Sequence, residues 1–98
     1  MVNKLQTARG LALSTLGEIF QDGAFSNIAL KKALGKATLS EVDKSLVTEI
    51  VYGTVSRKLT LEWYLSHFVA DRDQVDPWIY HLLLMSLYQF VYLEKIPP

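Results

Sequence analysis

Three features of the 98-residue sequence predict an all-α fold. Apolar residues recur at steps of three and four through most of the chain, the spacing of one helix face. Capping and stop residues punctuate these runs at intervals suited to short helices. No stretch of four or more residues stands out as alternating apolar with polar; Ile50-Val51-Tyr52 is rich in strand formers but lies inside a 3.6-residue pattern. The expectation is a bundle of about five helices, with no linker, repeat or low-complexity segment.

The first helix is expected from Asn3 to Phe20, with Leu5, Ala8, Ala12, Leu16, Ile19 and Phe20 on one stripe and Leu11 and Leu13 widening it. Asn3 is its expected cap, and Gly23 supplies the left-handed residue that ends it. Gly10, which costs about 1 kcal/mol against Ala in mid-helix, marks a candidate close crossing. Ser26 or Asn27 is expected to cap a short second helix bearing Ile28, Leu30, Ala33 and Leu34, broken by Gly35-Lys36-Ala37-Thr38. Ser40, with Asp43 three residues on and Leu39 before it, forms a capping-box and staple signal for the third helix. That helix carries Val42, Leu46, Val47, Ile50, Val51 and Val55 and is expected to reach about Arg57, with Gly53 admitting a neighbouring backbone. A break then precedes a fourth helix capped by Thr60, with Leu61, Tyr64, Leu65 and Phe68 on one side; one bent rod continuing the third helix is the alternative.

After the charged loop Asp71 to Val75, Asp76 and Pro77 are an N-cap and first-turn pair for a helix running to Leu93. This last helix is apolar on nearly every side and must be surrounded. Lipid is a poor candidate, because a bilayer needs about 20 predominantly apolar residues and this run is shorter and carries His81, Ser86 and Gln89. A central position in a bundle fits it better. Its place near the end of the sequence points to covering segments lying beyond residue 98, and an uncovered apolar face predicts self-association.

Composition narrows the chemistry. Ten basic and ten acidic residues cancel, so any nucleic-acid site must be a local patch rather than an overall field. With no cysteine, the chain itself offers no disulfide, thiolate nucleophile or Cys-ligated zinc. The opening residues lack a signal-peptide pattern, which makes a cytoplasmic setting the expectation. His67 and His81 have no metal-ligand spacing and read as a core or interface histidine each. Ser14, Ser56 and Ser86 lie outside any nucleophile elbow, and there is no glycine-rich phosphate loop. No catalytic, metal-binding or cofactor-binding residue is expected, and the chain reads as non-enzymatic.

The basic residues group more usefully. Lys31, Lys32 and Lys36 fall on the second helix, Arg57 and Lys58 sit together at the end of the third, and Lys4 and Arg9 open the first. Grouped cations neutralise phosphates and release counterions, although such groups are often only the wet face of a helix. Tyr52, Trp63 and Tyr64 are chemically able to stack on unpaired bases, but core packing is the expectation for most of them.

Three segments carry a resemblance. Ala24-Phe25-Ser26-Asn27-Ile28-Ala29-Leu30, then Thr48 to Arg57 with Val51-Tyr52-Gly53, then Leu87-Tyr88-Gln89-Phe90-Val91-Tyr92-Leu93-Glu94-Lys95-Ile96-Pro97 resemble, in order and spacing, the NusB-like RNA-binding domain. Within it they are most similar to the branch at the amino terminus of bacterial small-subunit ribosomal RNA cytosine-C5 methyltransferases, the Sun or RsmB branch. Tyr52 and Arg57 favour that branch over the free-standing antitermination factor, which more often has an acidic residue at the Tyr52 position. The resemblance covers the whole chain. It implies two packed helical sub-bundles, with the family's last two helices following Pro98. It also implies a separate catalytic domain that uses S-adenosylmethionine and cysteine nucleophiles, with residues 1–98 as an accessory domain that docks ribosomal RNA. Family contacts on the first helix and nearby basic positions imply RNA-binding roles for Lys4 and Arg9, then Arg57 and Lys58; Lys31, Lys32 and Lys36 rest on charge grouping alone. A free-standing antitermination factor and a purely scaffolding domain are the alternatives.

Overall fold

The computed structural model describes residues 7–36 and 38–93. Among them it has five α-helices: α1 (Ala8–Asp22), α2 (Ser26–Lys36), α3 (Glu41–Ser56), α4 (Lys58–Leu65) and α5 (Pro77–Tyr88). A short 3₁₀ turn, Arg72–Gln74, precedes α5, and a π-helical turn, Gln89–Leu93, continues it.

Local chemistry accounts for most boundaries. Thr7, rather than the expected Asn3, caps α1: its Oγ1 accepts from the Gly10 amide at 2.9 Å. Asn3 and Leu5 lie outside the described residues. Gly23, at φ 75°, ends α1 in left-handed backbone as expected. Ser26 and Asn27 are both inside α2, and the chain's first turn there closes on the Phe25 carbonyl, so neither is the cap. Gly35 does not end α2, which runs on to Lys36. Ser40 caps α3 through the Asp43 amide at 3.1 Å, as the capping-box spacing predicts. The break between α3 and α4 is one residue, Arg57, which places Thr60 within α4 instead of at its cap. Pro77 occupies the first turn of α5, whereas Asp76 holds the N-cap backbone geometry without a side-chain hydrogen bond.

Helix α5 is the spine between two cores. On one side Met85 joins Ala8, Ala12 and Leu16 of α1, Leu30 of α2 and Val47, Ile50 and Val51 of α3. On the other, Tyr80, Leu84 and Tyr88 join Leu61 and Leu65 of α4. That division explains why α5 lacks a polar face: each side belongs to a different sub-bundle. Its ends are less enclosed, with Trp78 57% and Phe90 72% exposed.

Gly53 meets a side chain rather than a backbone. The Tyr88 ring lies against it, and a Cβ at that position would overlap the ring. The Tyr88 hydroxyl passes α3 and donates to Glu49 Oε2 at 2.8 Å.

Several apolar positions face outward, against expectation. Ile28 and Val42 are exposed, and so are Tyr64 and Phe68, although Leu61 and Leu65 beside them are buried. Tyr52, Trp63 and Tyr64 are 40%, 60% and 38% exposed, so core packing does not describe them. The reason for the last pair is the shortness of α4, which packs mainly on α5 and presents one narrow stripe to it. No helix among the described residues is long and apolar enough to cross a membrane.

Candidate nucleic-acid interface

The seven cations singled out by sequence do not form one patch. Lys4 lies outside the described residues. On α2, Lys31 and Lys36 are exposed, and Lys32 Nζ is 3.0 Å from Glu18 Oε1 of α1. That ion pair ties α2 to α1 and reduces the positive charge the group presents. Arg57 and Lys58, though adjacent, separate: Arg57 is the non-helical residue between α3 and α4, and Lys58 is the first residue of α4. Lys58 turns toward the α1 and α4 side, 5.1 Å from the Phe20 ring centre and 3.9 Å from Glu62 Oε2. Arg57 turns the other way, its guanidinium carbon 4.3 Å from the centre of the Tyr92 ring.

Arg9 and Arg57 converge on the end of α5. Arg9, exposed on α1, donates from Nε to Gln89 Oε1 at 2.6 Å. Gln89 is buried, and its Nε2 donates to the Met85 carbonyl at 3.2 Å, which fixes the amide with its oxygen toward Arg9. Tyr92 stacks on Tyr88, ring centres 5.4 Å apart and 27° between planes, while its other contact is the Arg57 cation. One π-helical turn therefore meets two guanidinium groups borne by different helices.

The surrounding electrostatics favour neutral rings and held cations. Burial, then the hydrogen bond from its hydroxyl to Glu49, push the Tyr88 phenol up to about 12. It remains a neutral donor at ordinary pH, and the Glu49 carboxylate is occupied by it.

A second polar cluster went unnoticed in sequence. Glu62 Oε2 accepts from Arg72 Nη1 at 2.9 Å and from the Tyr80 hydroxyl at 3.3 Å, and Arg72 also lies over the Tyr80 ring at 4.4 Å. Burial, followed by the Glu62 charge, raises the Tyr80 pKa. Only the i, i+4 pair of Lys58 and Glu62 was readable as a helical spacing; Arg72 reaches Glu62 through the fold of the loop. The arrangement pins the loop before α5 to α4. His81 beside it is buried against Phe20, ring centres 5.4 Å apart. Desolvation first, then the Arg72 and Lys58 charges, lower its pKa. His67 is instead exposed, with Nδ1 3.0 Å from the Trp63 carbonyl, so the core position holds for His81 and not for His67. No group of three potential metal ligands exists among the described residues.

The model of the NusB family matches residues 6–98. A "Probable ribosomal RNA small subunit methyltransferase B" of Bacillus subtilis is 42% identical over 96% of this chain, and its Synechocystis counterpart 33% identical over 93%. The "Ribosomal RNA small subunit methyltransferase B" of Yersinia pseudotuberculosis is 26% identical over 92% of the chain. The chain spans only 21% of the length of the first two relatives and 20% of the third. No solved structure matches it. The two-core helical bundle and the match along nearly its whole length agree: the chain belongs to the NusB family.

Proposed function

We propose that this chain is the RNA-docking accessory domain of a small-subunit ribosomal RNA methyltransferase. The observation that carries the proposal is the match of nearly the entire chain to one fifth of methyltransferase relatives. In this reading the 98 residues hold ribosomal RNA by backbone contacts and shape, and a separate domain methylates cytosine C5. In this reading S-adenosylmethionine is held by that other domain. The exposed guanidinium groups of Arg9 and Arg57 and the exposed Lys31 and Lys36 are the groups available to phosphates.

Binding of small-subunit ribosomal RNA to the full-length protein, measured across a salt series, tests this. A steep fall in affinity with salt, and a further fall when Lys4 and Arg9 become Ala, is the expected result. Affinity that ignores both salt and those substitutions contradicts electrostatic docking.

One observation favours a second role. Between α1 and α5 runs an apolar groove of about 560 Å³, lined by Leu13, Gly17, Trp78, Leu82 and Met85 among others. A groove of this kind supports packing against further polypeptide, in the intact protein or between copies, and a scaffolding contribution to the parent enzyme. Deleting residues 1–98 separates the roles. Loss of a scaffold lowers the melting temperature, whereas loss of an RNA arm chiefly raises KM for RNA. A free-standing antitermination factor would instead retain its function in a short reading frame with no methyltransferase activity.

A further inference from the structure

The π-helical turn Gln89–Leu93 follows directly on α5 and contains no Gly or Pro. Single π-helical turns are rare and frequent at functional sites, because the extra residue per turn redirects the side chains that follow. Here the redirected side chains are the two that hold cations: Gln89 toward Arg9, and Tyr92 toward Arg57.

Both contacts leave the donors of the cation free. A guanidinium carries five N–H groups. Gln89 takes the single Nε–H of Arg9, which leaves the terminal groups unengaged by any described residue. The Tyr92 ring holds the Arg57 cation 4.3 Å from its centre, and no described carboxylate or carbonyl accepts from the Arg57 side chain. The nearest acidic neighbour on α3, Glu49, accepts from Tyr88 instead of pairing with either arginine. Among the described residues, each arginine thus has one anchoring contact and no partner for its remaining N–H groups. That is the geometry for bidentate recognition of a phosphate, and it removes side-chain freedom that would otherwise be lost on binding.

The geometry points to a two-arginine phosphate site for an RNA strand, in which Arg9 and Arg57 take phosphodiester oxygens and Gln89 and Tyr92 are positioning residues. This inference rests on the RNA-docking reading and adds which residues orient the contact. It differs from a diffuse basic patch in one respect: charge alone is not sufficient. A lysine at either position keeps the charge but has no planar fork, cannot use an Nε–H on Gln89, and stacks less well on Tyr92.

The test measures binding of full-length protein to small-subunit ribosomal RNA by fluorescence anisotropy, with melting temperatures in parallel. Arg9→Lys and Arg57→Lys are each expected to weaken binding about 3- to 10-fold at a temperature where both variants are folded. Tyr92→Phe, which keeps the ring, is expected to bind as the parent does, and Tyr92→Leu to weaken binding as Arg57→Lys does. Should Tyr92→Leu also lower the melting temperature, the two lysine variants, both at exposed positions, decide the question. Lysine variants that bind as tightly as the parent overturn the site while leaving RNA docking intact. A parent protein that does not bind this RNA overturns the docking reading, and the site with it.

Discussion

The two sides of α5 differ in how completely they are packed. Toward α3, the Tyr88 ring presses on Gly53 and its hydroxyl continues to Glu49, leaving no room for a single methyl group. Toward α1, the surface opens into the groove of about 560 Å³, and a Cβ added at Gly17 would meet nothing within 4 Å. One helix, uniformly apolar in sequence, therefore has a finished crossing and an open one. Apolar composition says that a face prefers to be covered; only the partner's shape says whether it is.

The contrast is sharpest in glycine substitutions, which should have opposite signs. Gly53→Ala forces the Tyr88 ring out of its place. Overpacking of this kind costs about 1–3 kcal/mol and outweighs the roughly 1 kcal/mol that alanine contributes to helix propensity, so a lower denaturation midpoint is expected. Gly17→Ala enters open space and should raise stability by about 0.5–1 kcal/mol. Equal effects at the two sites would erase the distinction between the crossings.

Thr54 sharpens the closed side further. It is fully buried on α3, and its hydroxyl has no hydrogen-bond partner among the described residues. Thr54→Val keeps the shape and removes a desolvated polar group, so urea melts should show a gain of about 1 kcal/mol. A loss would mean that the hydroxyl is satisfied in solution.

Protonation distinguishes the two sides as well. His81 lines the open groove, and its depressed pKa means that the unfolded chain, with its pKa near 6.5, binds the proton more readily than the folded one. Stability should therefore be full above about pH 6.5 and decline as pH falls through the folded value, and His81→Phe should flatten that decline in melting temperature. Tyr88, on the closed side, is shifted in the opposite direction. Its stabilisation is present below pH 10 and lost as pH rises toward about 12. Ultraviolet titration should show a component ionising near 12 that disappears in Tyr88→Phe; ionisation of all tyrosines together near 10 would contradict the burial of that phenol.

Much of this fold is legible in sequence, for identifiable reasons. The cap at Ser40, the left-handed Gly23 and the Pro77 start are local signals, and they appear as read. Short helices rich in apolar residues are harder. In α4, Leu59, Leu61, Trp63, Tyr64 and Leu65 offer more than one apolar stripe, and spacing alone does not say that Leu61 and Leu65 face inward while Trp63 faces out. The π-helical turn has no signal in Gln89-Phe90-Val91-Tyr92-Leu93, since the contacts that accompany it come from Arg9 and Arg57, far away along the chain. For the same reason the two arginines were separate candidates in sequence, grouped with Lys4 and with Lys58. Packing of α1 and α3 on α5 pairs them instead with each other's neighbours on one turn.

The salt dependence of RNA binding tests the central claim most directly, by comparing the parent with the Arg9→Ala/Arg57→Ala double variant. Each lost phosphate contact lowers the slope of log affinity against log salt by about 0.7 to 0.9. Two specific contacts predict a slope shallower by about 1.4 to 1.8 in the double variant, read at a temperature where both proteins are folded. An unchanged slope would place the phosphate contacts elsewhere on the molecule and contradict docking at the end of α5.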